Sequence, residues 1–282
     1  MLASLAGRIA RDAVTSRAQA YEHLRHHGLS AFGEAMFGLS EVPAGYDQYL
    51  PRMASEETQR AWTGNSGLPL LQHTVDFVRA LMTAHEAFAG KSPKNARVLD
   101  YGCGYGRIAR LCYFFTDPEN VFGVDPWDES IRHCREAGLG AQFLQSDYVP
   151  KVLPLTGTFD LIYAFSVFTH LSEKTAARVL ATLRHYIRPK GLLCVTIYPR
   201  EYWSIVPGFL PGTDPARYTA QHDKTGFAFL AHDRPPIDGD VTFGETTMNV
   251  DWLATHAPDW KIVGFDYALS DPFQQYVFMR PS

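Results

Sequence analysis

The chain has 282 residues, 46% of them hydrophobic and 20% charged, which excludes wholesale disorder and leaves enough chain for a large core without disulfides or metals. Lys and Arg number 26 against 30 Asp and Glu, a net charge of -4, which argues against a general binder of nucleic-acid backbones. Cys103, Cys112, Cys134 and Cys194 form no CxxC pair and read as reduced, mostly buried thiols of a cytoplasmic protein.

The N-terminal stretch carries Arg8, Arg11 and Arg17 against one acid, Asp12, a balance shared with organelle transit peptides. The favoured reading is an amphipathic surface helix. Residues 1–40 read as helical, with breaks at Gly28 and Gly33. Residues 41–67 read as irregular, because Pro43, Gly45, Pro51, Gly64 and Gly67 punctuate them. Leu71, Val75, Val78 and Met82 repeat at helical spacing and predict a helix from about Leu70 to Gly90. No apolar run approaches the ~18 residues of a membrane-spanning helix.

From residue 97 short apolar runs alternate with helical stretches. Strands are predicted at 97–101, 121–124, 142–144, 161–165 and 192–198, with helices over 106–115, 128–137 and 173–187. Strands that are apolar throughout and separated by helices imply a parallel sheet covered on both faces. Residues 199–248, dense in Pro and Gly, read as an insertion after the fifth strand. A helix at 250–256 and two strands at 260–267 and 275–280 close the chain.

The chemistry is concentrated in Val98-Leu99-Asp100-Tyr101-Gly102-Cys103-Gly104-Tyr105-Gly106-Arg107. A strand ends in an acid and a glycine loop opens a helix, so backbone can approach a ligand where a Cβ would clash. A dinucleotide fingerprint needs glycine at 107, where Arg107 stands, and no P-loop Gly-Lys-Ser/Thr follows. Asp125 closes the next strand, where a carboxylate can take both ribose hydroxyls. A helix N-cap before Pro126 is its alternative reading.

The Asp-x-Gly-x-Gly-x-Gly loop resembles motif I of class I S-adenosylmethionine (SAM)-dependent methyltransferases. Gln145-Ser146-Asp147-Tyr148, the run Phe159 to Leu171, and Leu183 to Leu193 resemble the later motifs in order. The resemblance implies SAM as cofactor, with Asp100, Tyr101, Gly102, Gly104 and Gly106 around it and Asp125 on the ribose. It places Asp147 and Tyr148 by the adenine, with a surface turn as the alternative for Asp147. Trp127 and Phe165 are aromatic walls, with ordinary packing as the alternative.

The fold implied is a Rossmann-like, doubly wound α/β sheet of seven mostly parallel strands, the last one antiparallel. An N-terminal helical or lid region would cover 1–90 and a methyltransferase domain 91–282, with 199–248 as the substrate-binding insertion. His170, just after the fourth strand, is the candidate general base, with a structural or substrate-shaping role as its alternative. Arg200, Tyr202 and His222 are candidates for the acceptor side. No metal-ligand set is expected. Tyr49-Leu50-Pro51 and Arg60-Ala61-Trp62-Thr63-Gly64-Asn65-Ser66-Gly67 resemble the leader of bacterial methyltransferases of polysaccharide or glycan assembly, which implies a lid and a sugar hydroxyl acceptor. The rival readings are another small-molecule O, N or C acceptor, and a non-catalytic SAM-binding protein.

Overall fold

A computed structural model describes residues 14–140 and 142–282. The predicted surface helix bearing Arg8, Arg11 and Asp12 lies outside the described residues. The chain divides into two compact units, Met1–Thr83 with Ser92–Gln145, and Ala84–Lys91 with Ser146–Ser282.

The first unit opens with helices α1 (Arg17–Arg25), α2 (Gly28–Met36) and α3 (Glu56–Thr63), followed by the long α4 (Gly67–Ala89), whose last turn belongs to the other unit. Strand β1 (Val98–Tyr101), the single-turn α5 (Ala109–Cys112), β2 (Val121–Asp125), α6 (Asp128–Glu136) and β3 (Phe143–Gln145) follow. β1 pairs with β2, and β2 with β3, both in parallel. Gly28 separates α1 from α2 as expected, but Gly33 does not break the chain. It is buried within α2, and a Cβ there would come within 2.7 Å of Leu71 Cδ1, so its lack of a side chain serves helix packing. The residues read as irregular also contain α3, whose N-cap Ser55 accepts a hydrogen bond from the Thr58 amide.

The helix predicted over 106–115 shrinks to α5. Gly106 has φ +72°, which bars an α-helix from starting there, and the amides of Phe114 and Phe115 bond three residues back, as in a tightened end.

The second unit contains β4 (Phe159–Ala164), α7 (Glu173–Arg184), β5 (Ile187–Ile197), α8 (Pro215–Thr225), β6 (Phe227–Ala231), β7 (Gly244–Met248), α9 (Val250–His256), β8 (Trp260–Ala268) and β9 (Asp271–Pro281). β4 and β5 are parallel, and β9 runs antiparallel to both β5 and β8. β4 is buried at every position, where each large aliphatic side chain contributes roughly 1.5–3 kcal/mol. The helix predicted over 173–187 ends instead at Arg184, and Pro189-Lys190-Gly191 follow it. Those residues lie inside β5, where Phe159 pairs with Ile187 but Leu161 pairs with Leu192, so the extra residues bulge out.

The insertion is more ordered than its Pro content suggests. Short 3₁₀ turns at Arg200–Ser204 and Val206–Gly208, α8 and the β6–β7 hairpin enclose a cluster of Tyr202, Trp203, Val206, Tyr218 and Ala228. β7, Gly-Glu-Thr-Thr-Met, is fully buried yet mostly polar, so apolar periodicity cannot reveal it. Seven strands form one sheet in the order β3-β2-β1-β4-β5-β9-β8, the Rossmann-like arrangement expected. Among the described residues no helix is long and apolar enough to cross a membrane.

Candidate active site

In the first unit β1 delivers Asp100 and Tyr101, both buried, to the loop Gly102–Gly106. Gly104 and Gly106 adopt φ +52° and +72°. The reasons differ: a Cβ on Gly106 would strike Leu139 Cδ1 at 2.1 Å, whereas one on Gly104 would meet only the Trp62 ring, at 3.9 Å. Gly104 therefore presents bare backbone, and both of its peptide groups are pinned. Its amide donates to Asp125 Oδ2 at 2.9 Å, and its carbonyl accepts from Cys134 Sγ at 3.2 Å. Asp125 Oδ1 accepts from the Trp127 amide at 2.9 Å, so the carboxylate spans the loop and the entrance to α6. Burial pushes its pKa up, and the Trp127 and Gly104 amides oppose that rise. Asp125 is therefore not the N-cap of α6, a place Trp127 holds without a side-chain bond; its carboxylate ties the loop to the chain that enters the helix.

Two residues of this brace were not singled out in the sequence. Cys134 is one. Arg110 is the other: its fully buried guanidinium donates to the carbonyls of Gly106 at 3.1 Å, Tyr105 at 3.2 Å and Arg52 at 3.1 Å. The spacing of Arg110 one helical turn after Gly106 was the available signal. Trp127 is 46% exposed and stacks on Trp62, with ring centroids 4.7 Å apart. An open glycine backbone, a carboxylate at a strand end and an exposed aromatic fit an adenosyl ligand.

In the second unit Asp147 and Tyr148 are exposed in the bend after β3, and Phe165 is half-buried at the end of β4 near Tyr276. Ser166 then takes φ +56°, a strained conformation for a non-glycine residue, and its amide donates to Thr196 Oγ1 at 2.7 Å. His170 Nδ1 lies 2.9 Å from the Gly244 carbonyl oxygen, and its ring stacks on Phe243 with centroids 5.0 Å apart. Burial pulls its pKa below the ordinary value, the Gly244 bond opposes this, and Arg234 adds to it. Tyr202 donates to Glu245 Oε2 at 2.7 Å and stacks on Tyr198 at 3.8 Å. Glu245 Oε1 is 3.7 Å from His170 Nδ1 and 3.2 Å from His232 Nε2. Burial raises the Glu245 pKa and pushes Tyr198 up to about 12.

Glu245, Tyr198 and Gln274 therefore join His170 and Tyr202, with His232 of the insertion beside them, and no local pattern in the chain groups Glu245, Tyr198 or Gln274 with them. Gln274 is 5% exposed and donates to Ser166 Oγ at 3.0 Å and Tyr198 Oη at 3.2 Å. Its Oε1 has no hydrogen-bond partner among the described residues. Arg200 and His222 sit apart from this group. Arg200 is exposed and paired with Asp223 at 2.9 Å, while His222 is buried with Nδ1 at 2.8 Å from Thr247 Oγ1. Both line a separate cavity of about 770 Å³. Among the described residues no group of three or more His, Cys, Asp or Glu is placed to hold a metal ion.

Residues 98–191 match a family model described as a methyltransferase domain. An uncharacterized methyltransferase of Schizosaccharomyces pombe is 28% identical over 127 residues, 39% of this chain and 45% of that protein. Trans-aconitate 2-methyltransferase of Azoarcus sp. is 32% identical over 107 residues, 38% of this chain and 40% of that protein. The chain thus spans less than half the length of these curated relatives. The structure of magnesium protoporphyrin IX methyltransferase from Synechocystis PCC 6803 with bound SAH (S-adenosylhomocysteine) aligns with TM-score 0.52 at 15% identity. It covers 80% of this chain and 94% of that one. Streptomyces venezuelae DesVI gives 0.52 at 11% identity, covering 82% and 99%. Residues 98–191 thus match a methyltransferase-domain family, and the chain shares the fold of the Synechocystis methyltransferase.

Proposed function

We propose that this protein transfers the methyl group of SAM to a hydroxyl oxygen of a sugar or glycan acceptor, with His170 as general base. The observation that carries the proposal is the bond between His170 Nδ1 and the Gly244 carbonyl. A carbonyl oxygen only accepts, so Nδ1 carries the proton and Nε2 keeps its lone pair. Burial keeps the ring neutral near pH 7, as a base must be.

Bound SAM supplies an electrophilic methyl carbon on its sulfonium. His170 Nε2 takes the hydroxyl proton as the oxygen attacks, and Glu245 stabilises the imidazolium that results. Asp125 holds the loop amide of Gly104 and receives the ribose hydroxyls, with Asp100, Tyr101, Gly102 and Gly106 shaping the pocket and Trp127 facing the adenine. Asp147, Tyr148 and Phe165 belong to the cofactor side in this reading. Residues 1–90 act as its cover, and the 199–248 insertion contributes Tyr202 to acceptor binding.

The sugar assignment rests on the make-up of the His170 group. Tyr198, Glu245 and the carbonyl of Gln274 supply hydroxyl, carboxylate and amide groups, partners suited to a polyol. A turnover assay with SAM across nucleotide sugars, oligosaccharides and small natural-product acceptors, read by mass of the product, tests this. Methylation confined to amines or carbon acids overturns the hydroxyl assignment. SAM binding without turnover on any class favours a non-catalytic SAM-binding protein.

A further inference from the structure

Trp62, on α3, makes the same two contacts that the cofactor reading gives to the adenosyl ligand. Its ring stacks on Trp127 with centroids 4.7 Å apart and planes 28° from parallel. The same ring lies 3.9 Å from the position of a Cβ on Gly104, which fixes it on the loop side of Trp127. Tyr105 at 5.6 Å and His133 at 5.3 Å meet it edge to face. One face of Trp127 accommodates one flat partner, so this ring and a purine stacked there exclude each other.

We infer that Trp62 is a place-holder in the nucleoside site, and that an adenine nucleoside binds by displacing it from Trp127 and Gly104. The inference rests on the cofactor reading of the glycine loop. It adds that the site is held closed by an aromatic side chain from outside the methyltransferase domain. Helix α3 is suited to release. Its one buried residue is Gln59, whose side chain bonds Ala54 O at 2.7 Å and the Gly67 amide at 3.0 Å, both neighbours in sequence. Gly64 ends the helix in the left-handed region. Apart from the Trp62 ring contacts, so little of this element is buried that it opens at low free energy. The exchange trades one aromatic stack for another, so Trp62 competes with the ligand and weakens its binding.

The test uses the full chain and S-adenosylhomocysteine. Two stacked indoles give an exciton couplet in circular dichroism, which reports the Trp62–Trp127 pair directly. The wild-type protein should show the couplet and lose it at saturating ligand, with saturation set by calorimetry. Trp62→Ala should bind S-adenosylhomocysteine about two- to tenfold tighter, the stack having been removed as competitor. Trp62→Leu, which keeps apolar bulk, should show the same direction if the alanine variant is poorly folded. A couplet that persists at saturation, or weaker binding in the folded variants, overturns the inference and makes Trp62 a clamp on the bound ligand. Absence of calorimetric binding to the wild type overturns the cofactor reading, and the inference with it.

Discussion

In the first unit the glycine loop is held through main-chain groups: Asp125 and Cys134 take the amide and carbonyl of Gly104, and Arg110 takes the carbonyls of Tyr105 and Gly106. In the second unit the group around His170 is made of side chains from the insertion, from β9 and from Tyr198 just after β5, with Glu245 bridging Tyr202 and His232. A cofactor shared by a whole family is met by backbone, which a short contiguous motif can shape. In the proposed reading, an acceptor that varies would be met by side chains on segments that can change without disturbing the sheet.

The largest expected effect lies at His170, the base of the proposed reaction. His170→Ala should lower kcat at least ~100-fold and leave SAM affinity near wild type, and His170→Asn should be nearly as slow. Because burial depresses the His170 pKa, protonation silences the base only below pH 6.5. The pH–rate profile of the wild type should therefore fall on the acid side of that value, and the alanine variant should lose this limb. Retained activity in the alanine variant would return His170 to a structural role.

Arg110→Met tests the brace beneath the loop. It removes the guanidinium donor from the carbonyls of Tyr105, Arg52 and Met36, while Gly106 O keeps the Arg110 amide, offset by removing a buried charge, and should lower stability by about 2–3 kcal/mol in urea denaturation. Asp125→Ala should reduce SAM affinity more than tenfold in calorimetry, since each charge-assisted bond is worth roughly 1.5–3 kcal/mol. It should also lower the melting temperature of the ligand-free protein, because the Gly104 and Trp127 amides lose their acceptor. An affinity loss without a melting shift would mean that the loop holds its shape unaided.

Glu245→Gln keeps an acceptor for Tyr202 but removes the charge near His170. The expected result is a loss of about tenfold in kcat, with the acid limb moved to lower pH, since the imidazolium loses its stabilising carboxylate. An unshifted limb would detach Glu245 from the base. The smallest effect belongs to Arg200→Ala. Its side chain is exposed and paired with Asp223, so neither melting temperature nor KM should change measurably. A raised KM would place Arg200 on the acceptor after all.

The sequence by itself determined the strand–helix alternation and the order of the cofactor motif. Apolar runs, an acid at a strand end and glycines at fixed spacing are local signals, and β1, β2 and β4 together with the loop follow from them. The ends of α5 and α7 were misread because a helix boundary depends on which turns are sterically open and which carbonyls find partners. The tertiary structure alone decided the group around His170. Glu245 in β7 and Gln274 in β9 are buried polar residues, and they have partners 43 and 108 residues away. Hydrogen bonds made across the fold keep such groups buried, and a bond between distant residues leaves no periodic trace in the chain.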